Sequence, residues 1–367
     1  MSDIVSVALQ YEIGRARTAR LRNPFFEVLA ALNEAGSIAQ AARDLGWSYR
    51  HLWGYLREQE GLMGRPLVLW DRGRSARLSP FAQKLLWSEA RIQARLAPEI
   101  DHLAAEISRE LTVAFNDALP IARCAGSHDA GLTALRTLCD ADARVLVHLR
   151  LAGSVQALRE RSEGHCDFAA VHLPCDRPGL AGPGSRLAKR FAALLKPGRE
   201  KIIQFGRRTQ GLIVASGNPL NIQGLEDVRR PELRLIGPDR HSGSRALLED
   251  LLLQERISGR VWLRRLSSEP TSLAVAAAVA SGQADLGFGT QAAAQAMGAD
   301  FIAVVQERGF LVCDKAALES PAGEALLTVL RSAAWRKALS GLAGHDAQDA
   351  GEVRSLKRTL PWQLNDG

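Results

Sequence analysis

The sequence predicts a multi-domain chain: an N-terminal all-α helix-turn-helix unit with a wing, a linking helix, and a larger C-terminal α/β unit. Three observations predict it. The chain has 367 residues, too many for one ordinary core. Residues 23–84 place three short helical patterns ahead of a hairpin pattern. From about Leu111, short apolar strand patterns alternate with helical ones.

In the first unit, Asn23-Pro24 opens a helix over Phe25 to Ala35, with proline where its missing N–H costs nothing. Gly36 ends it. Ser37 caps a second helix, SIAQAARDLG, whose Ala41-Ala42 pair permits close approach of a neighbour. Gly46 closes that helix, Trp47-Ser48 form the turn, and a third helix runs from Tyr49 to about Glu60. Such a third helix enters the major groove of double-stranded DNA in helix-turn-helix proteins, its N-terminal residues reaching base edges. Ser48, Tyr49, Arg50, His51 and Arg57 are therefore the candidate reading residues, with Trp53 and Leu56 expected to face the core. VLWDRGRSARLSP then reads as strand, turn, strand, and its Arg72, Arg74 and Arg77 suit phosphate or minor-groove contact.

The charge is placed accordingly. Of a net +7, residues 15–84 carry +6, from twelve Lys/Arg and six Asp/Glu. A basic N-terminal unit favours a polyanionic partner. Ser79 to Arg109 carries helically spaced apolar residues (Leu85, Leu86, Ile92, Leu96, Ile100, Leu103, Ile107), and Pro98 is expected to kink or split that helix. The stripe exceeds what one chain can cover, which predicts a homodimer or homotetramer.

The five cysteines include no C-x-x-C pair and point to reduced thiols, not disulfides or zinc. No apolar run approaches the roughly 18 residues of a membrane span, and the N-terminus lacks a secretory pattern, so a cytoplasmic location without membrane partner is expected. No G-x-S-x-G elbow or phosphate-binding P-loop occurs, no catalytic residue is assigned, and the histidines show no metal-ligand spacing.

In the α/β unit, the strand-to-helix junctions are rich in Ser, Thr and Gly. Free N–H groups and hydroxyls at helix starts can bind an anion. Ser127, His128, Ser154, Ser242, Ser244, Arg245 and Thr271 are the candidate ligand residues, although each hydroxyl also suits an ordinary helix cap; His128 and Asp129, in the first junction, suit either a ligand site or a capping pair.

GSIAQAARDLGWSYRHLWGYLREQE followed by RPLVLWDRGRSARLSPFAQKLL resembles the N-terminal domain of ModE, the molybdate-responsive regulator family, and more broadly the LysR-type winged helix. AGSHD at 125–129, SGSR at 242–245 and AVAAAVASGQADLGFG at 274–289 resemble the type 2 periplasmic-binding-protein-like domain found fused to such winged helices. The resemblance implies two α/β lobes around a ligand cleft, with crossovers near Gly206 and Asp300. It implies a ligand-responsive transcriptional regulator. Its effector would be an oxyanion (molybdate or tungstate) or molybdenum cofactor, and no covalent cofactor is implied. A small carboxylate such as formate, or a ligand-free scaffold, stays open as an alternative. Ser244 departs from an expected Thr, and Thr271-Ser272 from an expected Thr-His. The expected division is 1–84 winged helix-turn-helix, 79–110 linker, 111–345 ligand-sensing domain and 346–367 C-terminal tail.

Overall fold

The computed structural model describes residues 13–15, 19–21, 23–70, 76–115, 119–142, 144–177, 179–180 and 182–360. They form two compact units, one up to Gln93 and one from Ala94 onward.

The smaller unit begins with a hairpin that the sequence did not announce, β1 (Ile13–Arg15) paired antiparallel with β2 (Ala19–Leu21). α1 (Asn23–Ala35), α2 (Ile38–Asp44) and α3 (Tyr49–Met63) follow. Ser37 Oγ accepts from Gln40 N and Ser48 Oγ from His51 N, each at 3.2 Å, so both helices start on hydroxyl caps. Gly36 and Gly46 take positive φ in the intervening turns, where a side chain would be strained. Phe25, Leu29, Leu32, Leu52 and Leu56 are buried together with Ala41 and Ala42. Each large side chain there contributes roughly 1.5–3 kcal/mol. The wing strands β3 (Val68–Trp70) and β4 (Ala76–Leu78) pair antiparallel.

α4 (Pro80–Phe115) spans 36 residues. Pro98 does not split it. Proline removes one N–H from the ladder, and helical turns on both sides carry the backbone through. The boundary between the units falls within this helix, at Gln93/Ala94 instead of at its ends.

The larger unit contains β5 (Ile121–Gly126), α5 (Ala130–Asp142), β6 (Leu146–Leu151), α6 (Ser154–Ser162), β7 (Phe168–Pro174), α7 (Arg186–Ala192) and β8 (Glu200–Val214). Next come β9 (Leu235–Pro238), α8 (Gly243–Gln254), α9 (Gly259–Leu263), β10 (Leu266–Glu269), α10 (Ser272–Ala280), β11 (Leu286–Thr290) and α11 (Gln291–Ala296). β12 (Asp300–Asp314), α12 (Lys315–Leu318), α13 (Pro321–Arg331), α14 (Ala333–Ser340), β13 (His345–Asp346) and β14 (Val353–Ser355) complete it. The main sheet order is β10-β9-β11-β8-β12-β7-β5-β6.

β8 and β12 pair antiparallel along their full length and belong to both lobes. The β11 side of β8 begins at Gln210, and the β7 side of β12 begins at Glu307. At the changeover Gly206 stands opposite Gly309. A Cβ on Gly309 would lie 2.4 Å from the Phe205 ring, and one on Gly206 would lie 2.6 Å from Leu339 and 2.9 Å from Asp346 O. Only glycine fits this crossing.

Three sequence expectations change. KIIQFG and GLIVAS are one strand, β8. VWLRRL is not a strand: its first three residues close α9, with Trp262 buried, and its last begins β10. A short apolar run carries no periodicity that separates the two states. Residues 346–360 are not a free tail, since β13 and β14 pair with β8 and bury Leu356 and Leu360. They fill the edge of β8 that β11 leaves unpaired.

Candidate DNA-reading helix and interlobe cleft

On α3, Leu52, Leu56 and Gln59 form the buried line, and Tyr49, Trp53 and Arg57 an exposed one. Trp53 is 40% exposed, which corrects its expected place in the core. It lies one residue, about 100° of helical turn, from the buried line. The Arg57 guanidinium lies over the indole, 5.2 Å from its centroid, and also pairs with Glu60 at 3.1 Å. Arg50 and His51 are exposed, and the His51 ring meets Trp47 edge-on at 4.6 Å. Ser48 is exposed and spends its acceptor on the cap. Arg77 lies on β4, whereas Arg72 and Arg74 lie outside the described residues.

The larger unit holds a cleft of about 590 Å³ between the start of α6 and the start of α8. Gly153, Gln156 and Arg159 line one wall, Asp239, His241 and Ser242 the other, and Arg190 of α7 joins them. Gly153 caps α6 without a side-chain hydrogen bond, so the cap residue itself offers no acceptor to the first-turn N–H groups of that helix. Ser242 is occupied: its Oγ accepts from Arg245 N at 3.1 Å and donates to Asp239 O at 2.7 Å. Arg190 Nη1 donates to the carbonyls of Arg240 and Ser242, which holds its cation beside the cleft.

Beneath the junction of the lobes lies a buried polar cluster. Arg208 donates from Nη1 to Asp129 Oδ2 at 2.7 Å and from Nε to Glu307 Oε2 at 2.8 Å. Gln210 Nε2 donates to the same Glu307 oxygen at 2.6 Å and to Ser244 Oγ at 3.0 Å. The cluster therefore ties the first junction, both crossover strands and the first turn of α8. Burial would raise the Asp129 carboxyl, but the approach of His345 and the Arg208 charge outweigh it and hold it well below its usual range. Burial, then the Arg208 charge, press His172 down to about 4, so it is neutral near pH 7. Its Nε2 stands 3.7 Å from Asp129, and its Nδ1 has no partner among the described residues.

The candidate ligand residues thus separate. Ser242 lines the cleft. Ser154 is buried just behind it, 3.4 Å from where a Cβ on Gly243 would stand. Ser127 and His128 are half-buried at the junction before α5. Ser244 belongs to the buried cluster. Thr271 caps α10 at Ala274 N and donates to Ala94 O at 3.1 Å. Arg245 does not turn its guanidinium to the cleft: it pairs with Glu249 at 3.0 Å, reaches Pro238 O and lies over Trp262. Sequence reasoning missed Arg159, Arg190, Arg208, Gln210 and Glu307. In a chain with 47 Lys/Arg nothing in the sequence marks these arginines out.

A third helix that exposes Arg50, His51 and Arg57 in one unit and a cleft between two α/β lobes in the other define a class of protein, a helix-turn-helix module joined to a binding-protein-like domain. The chain belongs to the PBP superfamily domain family, which matches residues 135–331, and residues 25–83 match the family of bacterial regulatory helix-turn-helix proteins of the lysR type.

Among relatives, it is 31% identical over 201 residues to the uncharacterized protein YvgK of Bacillus subtilis, covering 55% of this chain and 63% of YvgK. The chain thus spans less than two thirds of that relative. It is 35% identical over 82 residues to an uncharacterized protein encoded in the 5′ region of a Clostridium pasteurianum 2Fe-2S ferredoxin gene, covering 22% of this chain and 73% of that one. Among solved structures, it is similar to a hydrogen-peroxide-bound cysteine-to-serine mutant of Corynebacterium glutamicum OxyR (TM-score 0.44, 16% identity, 86% of this chain and 93% of that one). It is likewise similar to full-length LysG of the same organism with bound effector Arg (TM-score 0.41, 16% identity, 85% and 97%). Among the described residues no helix is long and apolar enough to cross a membrane, and no cluster of His, Cys, Asp and Glu could hold a metal ion.

Proposed function

We propose that this chain is a ligand-responsive transcriptional regulator: the smaller unit binds double-stranded DNA, and the larger binds a small anionic effector between its lobes. The observation that carries the effector reading is the cleft itself. Arg159 and Arg190 line it, and α6 turns an N-terminus without a side-chain cap toward it. Backbone N–H groups, the positive end of the helix dipole and two guanidinium groups together favour an anion.

The resemblance to the ModE family supports a molybdenum-related effector. A cleft of about 590 Å³ lies in the range that holds cofactor-sized ligands, which favours a molybdenum cofactor species over bare molybdate or tungstate. A small carboxylate such as formate is the alternative. Ligand binding changes DNA affinity only if the effector prefers one lobe arrangement over the other. The DNA-binding reading implies a cytoplasmic location. Leu103 and Ile107 of α4, 50% and 42% exposed, supply apolar surface for a homodimer.

Native mass spectrometry of the purified protein, followed by thermal unfolding with molybdate, tungstate, formate and purified molybdenum cofactor, tests the effector reading. A retained small molecule or selective stabilisation by one anion supports it. Indifference of the intact protein to all four, with nothing bound, would reject it.

A further inference from the structure

Gly54 lies in the interior of α3, where glycine is the least favourable residue after proline. It is exposed, and beyond its own helix a Cβ added there would meet nothing within 4 Å. Packing among the described residues therefore does not account for it. Arg50 and Glu58 flank it at i−4 and i+4, and Arg57 at i+3, so the bare patch lies in the middle of the exposed face. Beside it stands Trp53, a large apolar ring left 40% in water, with the Arg57 guanidinium over its face. A helix that relinquishes alanine at an open position and exposes an indole next to it has a surface shaped for close approach.

We propose that Trp53 and Gly54 form the base-contacting floor of α3: Trp53 sets its ring edge against the C5-methyl group of a thymine, and the bare Gly54 backbone lets the base edges come close enough for that contact. The proposal rests on the DNA-binding reading of the smaller unit. Thymine alone presents a methyl group in the major groove, and apolar contact with it is a recognised means of base discrimination. Stacking on the indole restrains Arg57, which lowers the entropy lost when its fork meets a base or a phosphate.

The test uses the intact protein and a duplex enriched from a random pool. Gly54→Ala should raise the unfolding midpoint, because alanine is the better helix former, yet weaken duplex binding about fivefold or more. Trp53→Ala should lose about tenfold in affinity for the enriched duplex and much less for random DNA. Replacing thymines one at a time by deoxyuridine should identify a position where the wild type loses affinity and Trp53→Ala does not; Trp53→Phe should retain part of that sensitivity. Unchanged affinity for both Gly54→Ala and Trp53→Ala, while the wild type binds the enriched duplex, would overturn this proposal and leave the DNA-binding reading standing. A wild type that enriches no duplex would overturn both.

Discussion

Arg208 reaches Asp129 at 2.7 Å across 79 residues of sequence, and the same guanidinium holds Glu307, 99 residues away on the paired crossover strand. One buried cation thus serves two buried carboxylates at the junction of the lobes. Breaking a buried ion pair from one side is costly, since it leaves charge without a partner. Arg208→Met is expected to destabilise the larger unit by about 3–5 kcal/mol, and Arg208→Lys to recover little, because an ammonium lacks the fork that meets both acids. Urea unfolding followed by circular dichroism measures both.

Acid should weaken the same region. His172 titrates near 6.5 when unfolded and at about 4 in the native cluster. Between these values the unfolded chain holds a proton that the native chain does not, so stability falls as pH falls from about 6.5 to 4. The full difference corresponds to roughly 3 kcal/mol. Asp129, held well below its usual range, adds a further loss only below about pH 4. Thermal melts of wild type and His172→Gln from pH 7.5 to 4.5 should show a shallower decline in the variant. Parallel declines would remove His172 from the account.

The cleft residues should separate from the helix caps. Arg159→Ala and Arg190→Ala are expected to weaken effector binding about tenfold or more, as loss of a bond to a charged group does. Thr271→Val is expected instead to cost about 1 kcal/mol of stability through its lost cap, with effector affinity unchanged. Calorimetric titration beside thermal unfolding distinguishes the two patterns.

Assembly should depend on α4. Leu103→Asp together with Ile107→Asp should convert a homodimer to monomer at micromolar concentration, because the change sets four like charges into one apolar interface. Analytical ultracentrifugation of the intact protein reads this directly, and a wild type that sediments as a monomer would contradict it.

The helix-turn-helix was legible because its signals are local. Ser37 and Ser48 cap the helices they precede, and Gly36 and Gly46 supply the positive φ that the turns require. Trp53 reads as core because an apolar residue one step off a buried line looks buried until the phase of Leu52, Leu56 and Gln59 is fixed. The crossover strand was harder. RRTQ at 207–210 reads as a polar break between two strands, yet Arg208 and Gln210 are buried because Asp129, Glu307 and Ser244 come to meet them from distant segments. Arg245 likewise reads as a cleft cation until Glu249 and Trp262 are seen to occupy it. Polar residues whose partners are non-local carry no short-range signal.

Control of duplex binding in the smaller unit by an anion in the larger one can be read in a single fluorescence-anisotropy titration. Intact protein is titrated into an enriched, labelled duplex at several salt concentrations, with and without the anion that stabilises it in thermal unfolding. Affinity is expected to fall steeply with salt, as phosphate contacts require, and to shift at least about fivefold when the anion is added. Salt-dependent binding that the bound anion leaves unchanged, or no duplex binding at all, would contradict it.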